Sequence, residues 1–242
     1  MDRLVMKITK LIPIIVIILF MLLAWWFGLT KYFNFETIKE NRNQLLDYVQ
    51  SYPVLAPLSF IAIYTCITAL SIPVAIYMTL LGGFLFPQPF STLYVVIGAT
   101  LGASILFIAA STALKDVLRE RAGSRLEKMR QGFQENAAGY LLFLRLIPLF
   151  PFWLVNIAPA FFEVPFFTFF WTTALGITPG AFVYSQVGTG LGSIFESGEE
   201  FTIDKLLNQD VKIAFVALGV FILIPTIYRT WKKWKKEKSE KF

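Results

Sequence analysis

Long stretches without a charged residue alternate with short polar segments along this chain, and they predict several helices embedded in a membrane. The first stretch runs from Leu11 to Leu29. Its 19 residues at about 1.5 Å each match a hydrocarbon core of roughly 30 Å. We therefore expect a transmembrane anchor within residues 1–30. A cleaved signal peptide is the alternative, since basic residues precede the run, but the stretch from Ala24 to Phe27 contains two tryptophans and is a poor cleavage site.

In residues 31–52, apolar residues recur at helical spacing and charged residues lie between them. This pattern predicts an amphipathic helix on the outer surface of the membrane. The apolar positions are Phe35, Ile38, Leu45, Leu46 and Val49.

No charged residue occurs from Tyr48 to Leu114, which is more than one membrane span requires. We divide this stretch into residues 53–86 and residues 90–114. The first part is interrupted near Ser71, Ile72 and Pro73, so it is predicted to form two short legs of a re-entrant hairpin. The second part is long enough to cross the membrane once.

The polar centre, residues 115–138, is predicted to form a cytoplasmic amphipathic helix. Residues 139–162 are apolar again, but they contain three prolines and Arg145. A straight transmembrane helix is hard to build through these prolines, because each lacks an N–H and crowds the preceding turn. We therefore expect a second re-entrant hairpin at residues 139–162.

The rest of the chain continues the alternation. Residues 165–187 are predicted to span the membrane, residues 193–210 to form an acidic outer loop, residues 211–229 to form the last transmembrane helix, and residues 230–242 to form a basic cytoplasmic tail.

Charge then orients the elements. If the basic segments lie in the cytoplasm and the acidic loop outside, both residues 53–86 and residues 139–162 must return to the side from which they entered. The fold class that follows is an all-α integral membrane protein. It is a polytopic bundle with two opposed re-entrant helical hairpins in an inverted repeat, a layout that transporters use.

Composition agrees with a membrane protein, because 56% of the residues are hydrophobic and only 16% are charged. The net charge of +6 comes from basic residues that flank the apolar runs, so nucleic acid is not an expected partner. One cysteine and no histidine leave no expected metal site or cofactor, and they remove the usual general base. We therefore expect a protein that is not an enzyme.

Arg145 is the leading candidate for substrate binding, together with Asn156, because ionisable residues inside a membrane are costly and usually functional. A guanidinium fork suits a phosphate group, so lipid phosphate is the expected ligand. The alternative is structural: Arg145 reaches back to the cytoplasmic surface or caps a broken helix.

Two further sets of residues carry structural predictions. The prolines at the predicted hairpins are expected to shape their turns: Pro73, Pro148, Pro151 and Pro159. Two G-x-x-x-G patterns are expected to allow close helix packing. Their glycines are Gly98, Gly102, Gly176 and Gly180.

The chain resembles the DedA superfamily, in particular its VTT-domain branch, also called SNARE-associated Golgi proteins. The resemblance rests on four motifs within residues 53–192. They are GGFLF from Gly82, GATLGA from Gly98, LRLIPLFPFWLVN from Leu144 and LGITPGAFVYSQVG from Leu175. The R-x-x-P-x-x-P element within the third motif is the most specific.

This resemblance implies two opposed re-entrant hairpins and movement of lipid between leaflets, either phospholipid scrambling or, in bacteria, recycling of polyprenyl phosphate. Arg145 matches the hairpin arginine of the family. Other charges of the family are missing from this chain. Many members carry an acidic residue in the first hairpin, where this chain has the uncharged stretch from Thr68 to Val74. The DedA branch has a second hairpin arginine at a position near Pro151, where this chain has no arginine. Ser111 and Thr112 stand where members commonly have an arginine after the Gly98 span. These departures argue against the proton coupling proposed for some members.

The leading hypothesis is thus a lipid scramblase or flippase of a bacterial inner membrane, with both termini in the cytoplasm. Membrane lipids, phospholipid or polyprenyl phosphate, are its expected partners, and its oligomeric state stays open. Two alternatives remain: an ion-coupled secondary transporter of a small solute, and a membrane scaffold that transports nothing.

Overall fold

The computed structural model describes residues 35–121, 136–146 and 151–197, together with scattered positions between 15 and 28 and at 213 and 224. Several predicted features lie outside these residues. They are most of the N-terminal anchor, most of the central polar helix, Pro148, most of the acidic loop, the last transmembrane helix and the basic tail.

The described residues form helices and connecting turns, without a strand. The helices are α1 (Phe35–Glu40), α2 (Arg42–Ser51), α3 (Leu55–Ala69), α4 (Ala75–Leu85), α5 (Phe90–Arg121), α6 (Ala137–Leu146), α7 (Phe152–Phe161) and α8 (Phe166–Ser197). The all-α class expected from the sequence is therefore confirmed for this part of the chain.

Two of these helices are long enough to cross a membrane. Apolar windows of 24 and 25 residues lie within α5, at Phe90–Ala113, and within α8, at Phe166–Gly190. Four others, α3, α4, α6 and α7, have 15, 11, 10 and 10 residues. At about 1.5 Å per residue, helices of these lengths are shorter than a hydrocarbon core of roughly 30 Å.

Both long helices continue past the ends expected from hydropathy. The backbone of α5 is helical through Arg121, beyond Leu114, and that of α8 is helical through Ser197, beyond Val187. Most of the charged residues that follow Leu114 are lysine, arginine or glutamate, which are good helix formers, so they mark where a membrane would end but not where the helix ends. In α8 the helix continues through the glycines after Val187. One of them, Gly188, packs against α4.

The interruption expected near Pro73 is present between α3 and α4. The Ile72 N–H donates to the Ile67 carbonyl at 3.0 Å, and Ser71 has a left-handed backbone with φ 53°. This hydrogen bond closes the end of α3 in the manner of a Schellman motif, and Pro73 then prevents the helix from continuing. Helix α7 ends in a similar way at Glu163, whose φ is also 53°.

Packing centres on the two long helices. Helix α5 packs against α3 and α7, helix α8 packs against α4 and α6, and α5 and α8 contact each other. Within the pairs α3 and α4, and α6 and α7, the two helices touch each other far less than they touch the long helices. Each short helix is therefore held mainly by a long one.

Helices α4 and α8 approach so closely that no side chain fits between them at two glycines. A Cβ atom on Gly83 would overlap the Ser185 carbonyl, and one on Gly188 would overlap the Leu80 carbonyl. The Thr189 hydroxyl donates to the Gly83 carbonyl at 3.0 Å. Backbone contact and this hydrogen bond thus fix α4 on α8, as small residues do at membrane helix interfaces.

Candidate functional site

The site is built around Arg145, in the last turn of α6. Its Nη2 atom donates to Asn156 Oδ1 at 2.6 Å and to Thr173 Oγ1 at 3.0 Å. Asn156 lies on α7 and Thr173 on α8, so a single guanidinium joins three helices. The structure thus brings together Arg145 and Asn156, the two residues expected to bind substrate.

An aromatic ring completes the surroundings of the guanidinium. The Arg145 Cζ atom lies 5.4 Å from the centroid of the fully buried Phe169 ring, within cation–π distance. On α5, Phe107 stacks on Phe169 with its centroid 4.4 Å away. The guanidinium therefore lies over the Phe169 ring, which is itself stacked on Phe107.

Asn156 is held in one orientation. It is fully buried, and its Nδ2 donates to the Phe152 carbonyl one turn earlier at 3.0 Å. With the amide nitrogen occupied in this way, Oδ1 is the atom that accepts from Arg145. Asn156 thus positions the guanidinium.

The positive charge of Arg145 is not neutralised by its described partners. Asn156, Thr173 and Phe169 are all uncharged, and Arg145 Nε is buried without a hydrogen-bond partner. A buried donor left unpaired costs free energy, and a charged group more so. An anionic oxygen that reached this guanidinium would supply both a counter-charge and an acceptor.

Gly176 provides the space for the arginine. A Cβ atom at this position of α8 would lie 2.6 Å from Arg145 Cβ and 3.0 Å from its Cγ. At Gly180, one turn later, a Cβ atom would meet nothing within 4 Å. Of the two glycines in the second G-x-x-x-G pattern, only Gly176 therefore stands at a close helix contact in the described residues.

Both glycines of the first G-x-x-x-G pattern face α3. A Cβ atom on Gly98 would lie 2.8 Å from Tyr64 Cβ, and one on Gly102 would lie 2.5 Å from Thr68 Cβ. The close packing of α5 on α3 therefore depends on both residues.

The prolines occupy different kinds of position. Pro73 lies in the turn between α3 and α4, and Pro151 directly precedes α7 in an extended conformation with φ −56° and ψ 137°. Pro159 lies inside α7 and is buried. Two of the described hairpin prolines thus stand where helices begin or end, while helix α7 continues through the third.

Sequence reasoning did not identify Thr173 and Phe169. Threonine and phenylalanine are common in apolar helices, and this chain has 25 phenylalanines, so neither residue stands out. The spacing could have indicated Thr173, because it lies three residues before Gly176 and therefore on nearly the same face of the helix.

Two further features of the described residues bear on the position of the site. No group of three His, Cys, Asp or Glu side chains that could hold a metal ion occurs in that part of the chain. A cavity of about 420 Å³ lies elsewhere, between α1, α2 and α4, and Arg145 does not line it. The partly buried Arg145, and not this cavity, is the candidate site, because the cavity lining carries no charged side chain.

Comparison with known proteins identifies the domain to which this site belongs. The VTT domain family matches residues 72–190, a range that includes Arg145, Asn156, Thr173 and Gly176. The chain contains a VTT domain. Its resemblance to the DedA superfamily is thereby confirmed.

Individual relatives agree with this assignment. Transmembrane protein 41B of Danio rerio is 28% identical over 199 residues, which cover 81% of this chain and 68% of the relative. The Transmembrane protein 41 homolog of Caenorhabditis elegans is 29% identical over 161 residues, 65% of each chain. Transmembrane protein 41B of Homo sapiens is 28% identical over 188 residues, 76% of this chain and 62% of the relative.

The matched region of the chain thus spans about two thirds of the length of these relatives. No solved structure matches the chain. The relatives are named as transmembrane proteins, and α5 and α8 are long and apolar enough to cross a bilayer. Together these observations support an integral membrane protein.

Proposed function

We propose that this protein moves lipids with phosphate headgroups between the leaflets of a membrane, as a scramblase or flippase. The observation that carries the proposal is the Arg145 site: a guanidinium bound only to uncharged described partners, with a buried Nε that lacks an acceptor. A phosphate oxygen is the acceptor that best fits an arginine fork in apolar surroundings.

The same hydrogen bonds also tie α6 to α7 and α8, so Arg145 has a structural role in addition. A purely structural link between apolar helices does not need a charge, and an unneutralised charge is costly inside a membrane. The choice of arginine at this place is explained if a lipid phosphate passes near it and is released again. The lipid tails would remain in the bilayer while the headgroup moves.

The proposed architecture is an inverted repeat of two re-entrant hairpins, α3 with α4 and α6 with α7, each followed by a spanning helix. The pattern of packing supports it. Helix α5 packs on the first leg of its own half, α3, and on the second leg of the other half, α7; helix α8 does the same with α6 and α4. Exchanging the two halves reproduces these four contacts, as an internal repeat requires, although α4 also packs on α5 while α7 has no comparable contact with α8.

The proposed location is a bacterial inner membrane with both termini in the cytoplasm. The distribution of basic and acidic residues along the sequence supports the orientation. Reporter fusions at the C-terminus and within residues 193–210 would test it: we expect the first on the cytoplasmic side and the second outside, and the reverse result would contradict the orientation.

The test of function is leaflet exchange of a labelled phospholipid in vesicles that contain the purified protein. Arg145→Met keeps an unbranched side chain of similar width but removes the charge, and Arg145→Lys keeps the charge but removes the fork. We expect Arg145→Met to approach the rate of protein-free vesicles and Arg145→Lys to retain part of the activity.

Lys39→Met is the matched control, because this exposed lysine lies on α1, away from the site, and its change alters the net charge equally. Its rate should equal that of the wild type. Full activity of well-folded Arg145→Met protein would refute the assigned role. An ion-coupled transporter would instead require an ion gradient, and a scaffold would show no exchange in any variant.

A further inference from the structure

The first half of the repeat contains a polar pair at the position that Arg145 and Asn156 occupy in the second half. Tyr64 of α3 is hydrogen-bonded to Thr79 of α4, with 2.9 Å between their hydroxyl oxygens. Tyr64 and Thr79 are both buried. Neither residue carries a charge, so the pattern of charged residues along the sequence does not reveal this pair.

The correspondence extends to the second leg of each hairpin. Thr79 stands four residues after Ala75, where α4 begins, and Asn156 stands four residues after Phe152, where α7 begins. The Thr79 hydroxyl donates to the Ala75 carbonyl at 2.8 Å, and the Asn156 amide donates to the Phe152 carbonyl at 3.0 Å. In both halves the first carbonyl of the second leg therefore anchors the polar residue.

The correspondence also holds for the first leg. Each long helix places a glycine against the Cβ atom of the residue concerned: Gly98 of α5 against Tyr64, and Gly176 of α8 against Arg145. Tyr64 and Arg145 thus occupy equivalent places, each under a glycine and each bonded to the fifth residue of the following leg.

A buried polar atom without a partner accompanies both pairs. In the second half it is Arg145 Nε, and in the first half it is the hydroxyl of Thr68, which is 2% exposed. Thr68 follows Tyr64 by four residues on α3, so the two side chains share one face of the helix. This hydroxyl can therefore pair with an oxygen or hydroxyl of a ligand.

We propose that Tyr64, Thr68 and Thr79 form a second, uncharged binding site for the headgroup of the transported lipid. This inference rests on the proposed function. Its ligand is a lipid headgroup that offers phosphoryl or alcohol oxygens to hydroxyl hydrogen bonds, so a phosphate headgroup and an uncharged sugar headgroup both fit it. Arg145 holds the phosphate by charge in one half, and the hydroxyl site receives the headgroup in the other half.

The two sites differ in what they can select. The guanidinium discriminates for negative charge, whereas hydroxyl groups donate and accept without regard to it. Removing the hydroxyls should therefore slow an anionic phospholipid and an uncharged glycolipid by similar factors. Removing the charge of Arg145 should slow the phospholipid more than the glycolipid.

The experiment compares leaflet exchange of a labelled phospholipid and a labelled glucosylceramide in vesicles containing the wild type, Tyr64→Phe, Thr68→Val, Thr79→Val or Arg145→Met. Tyr184→Phe is the matched control, because this tyrosine is exposed on α8. We expect each of the three hydroxyl variants to slow both lipids by about threefold to tenfold, as loss of one hydrogen bond implies. The control should be unchanged.

Thermal unfolding of each variant separates this role from a structural one. Thr68→Val removes a buried hydroxyl that lacks a partner, so its unfolding temperature should equal or exceed that of the wild type while transport falls.

Wild-type transport in Thr68→Val and Tyr64→Phe would overturn the inference. So would a fall in transport that occurs only together with loss of folded protein in all three hydroxyl variants. Either result leaves the proposed function standing as long as the wild type transports and Arg145→Met does not. Absence of transport by the wild type would refute both.

Discussion

Replacing Gly176 with alanine should disturb the Arg145 site through a single methyl group. The added Cβ atom would lie 2.6 Å from Arg145 Cβ, whereas carbon atoms in favourable contact are about 3.5–4.0 Å apart. Helix α8 or the arginine stem must therefore move by roughly 1 Å. We expect the guanidinium to be displaced from Asn156 and Thr173.

The expected magnitude follows from two opposing effects. Glycine in the middle of a helix is less stable than alanine by about 0.5–1 kcal/mol, so the substitution gains that amount. Overpacking of a well-filled contact costs about 1–3 kcal/mol. The net change should be a loss of about 0–2.5 kcal/mol in the free energy of unfolding, together with a lower rate of lipid exchange.

Gly180→Ala provides the matched control on the same helix. The new Cβ atom would meet nothing within 4 Å, so only the helical gain of about 0.5–1 kcal/mol remains. Denaturant unfolding of both variants in the same lipid–detergent mixture, followed by tryptophan fluorescence, measures the difference. We expect Gly180→Ala to be more stable than Gly176→Ala by about 1–3 kcal/mol, which is the overpacking cost alone.

One result would refute this reasoning. If Gly176→Ala is as stable as Gly180→Ala and transports lipid at the wild-type rate, α6 and α8 do not pack closely at Arg145. The description of the site would then be wrong.

Three further outcomes can be checked. Gly83→Ala should destabilise the protein by at least as much as Gly176→Ala, because its Cβ would overlap the backbone carbonyl of Ser185, which cannot rotate away; unfolding measurements at wild-type stability would contradict the contact. Asn156→Leu should lower the free energy of unfolding by about 1–3 kcal/mol, because the Arg145 guanidinium loses its shorter hydrogen bond; an unchanged unfolding curve would show that this bond does not form. Cys66, an exposed residue near the end of α3, should be protected from a membrane-impermeant maleimide in intact vesicles and should react with it once the protein is unfolded in denaturant, because a thiol in the hydrocarbon core does not form the reactive thiolate; rapid reaction in intact vesicles would contradict a hairpin tip within the membrane.

Sequence alone could identify Arg145 and Asn156, because a charge and an amide within an apolar run are rare and costly. It could not establish that they bond to each other, since they lie 11 positions apart along the chain and on different helices. The third and fourth participants, Thr173 and Phe169, come from a different helix, and their side chains are ordinary for a membrane protein. Their contribution depends on how α8 crosses α6.

The prediction of helices succeeded where proline or a change in hydropathy marks a boundary, as between α3 and α4. It placed the end of a helix too early where charged residues mark the edge of a membrane but the backbone remains helical, as in α5, which continues to Arg121. The pair of Tyr64 and Thr79 went unnoticed for a related reason. The Thr79 hydroxyl donates within its own helix, and neither side chain carries a charge, so only the packing of α3, α4 and α5 reveals the pair.

Leaflet exchange by the wild-type protein tests the central proposal most directly. The measurement is the rate at which a labelled phospholipid leaves the outer leaflet of vesicles made with and without the protein, in identical salt and pH on both sides. We expect the protein to accelerate exchange without any ion gradient, and the acceleration to scale with the amount of protein reconstituted. A rate equal to that of protein-free vesicles, or one that rises only when an ion gradient is imposed, would contradict it.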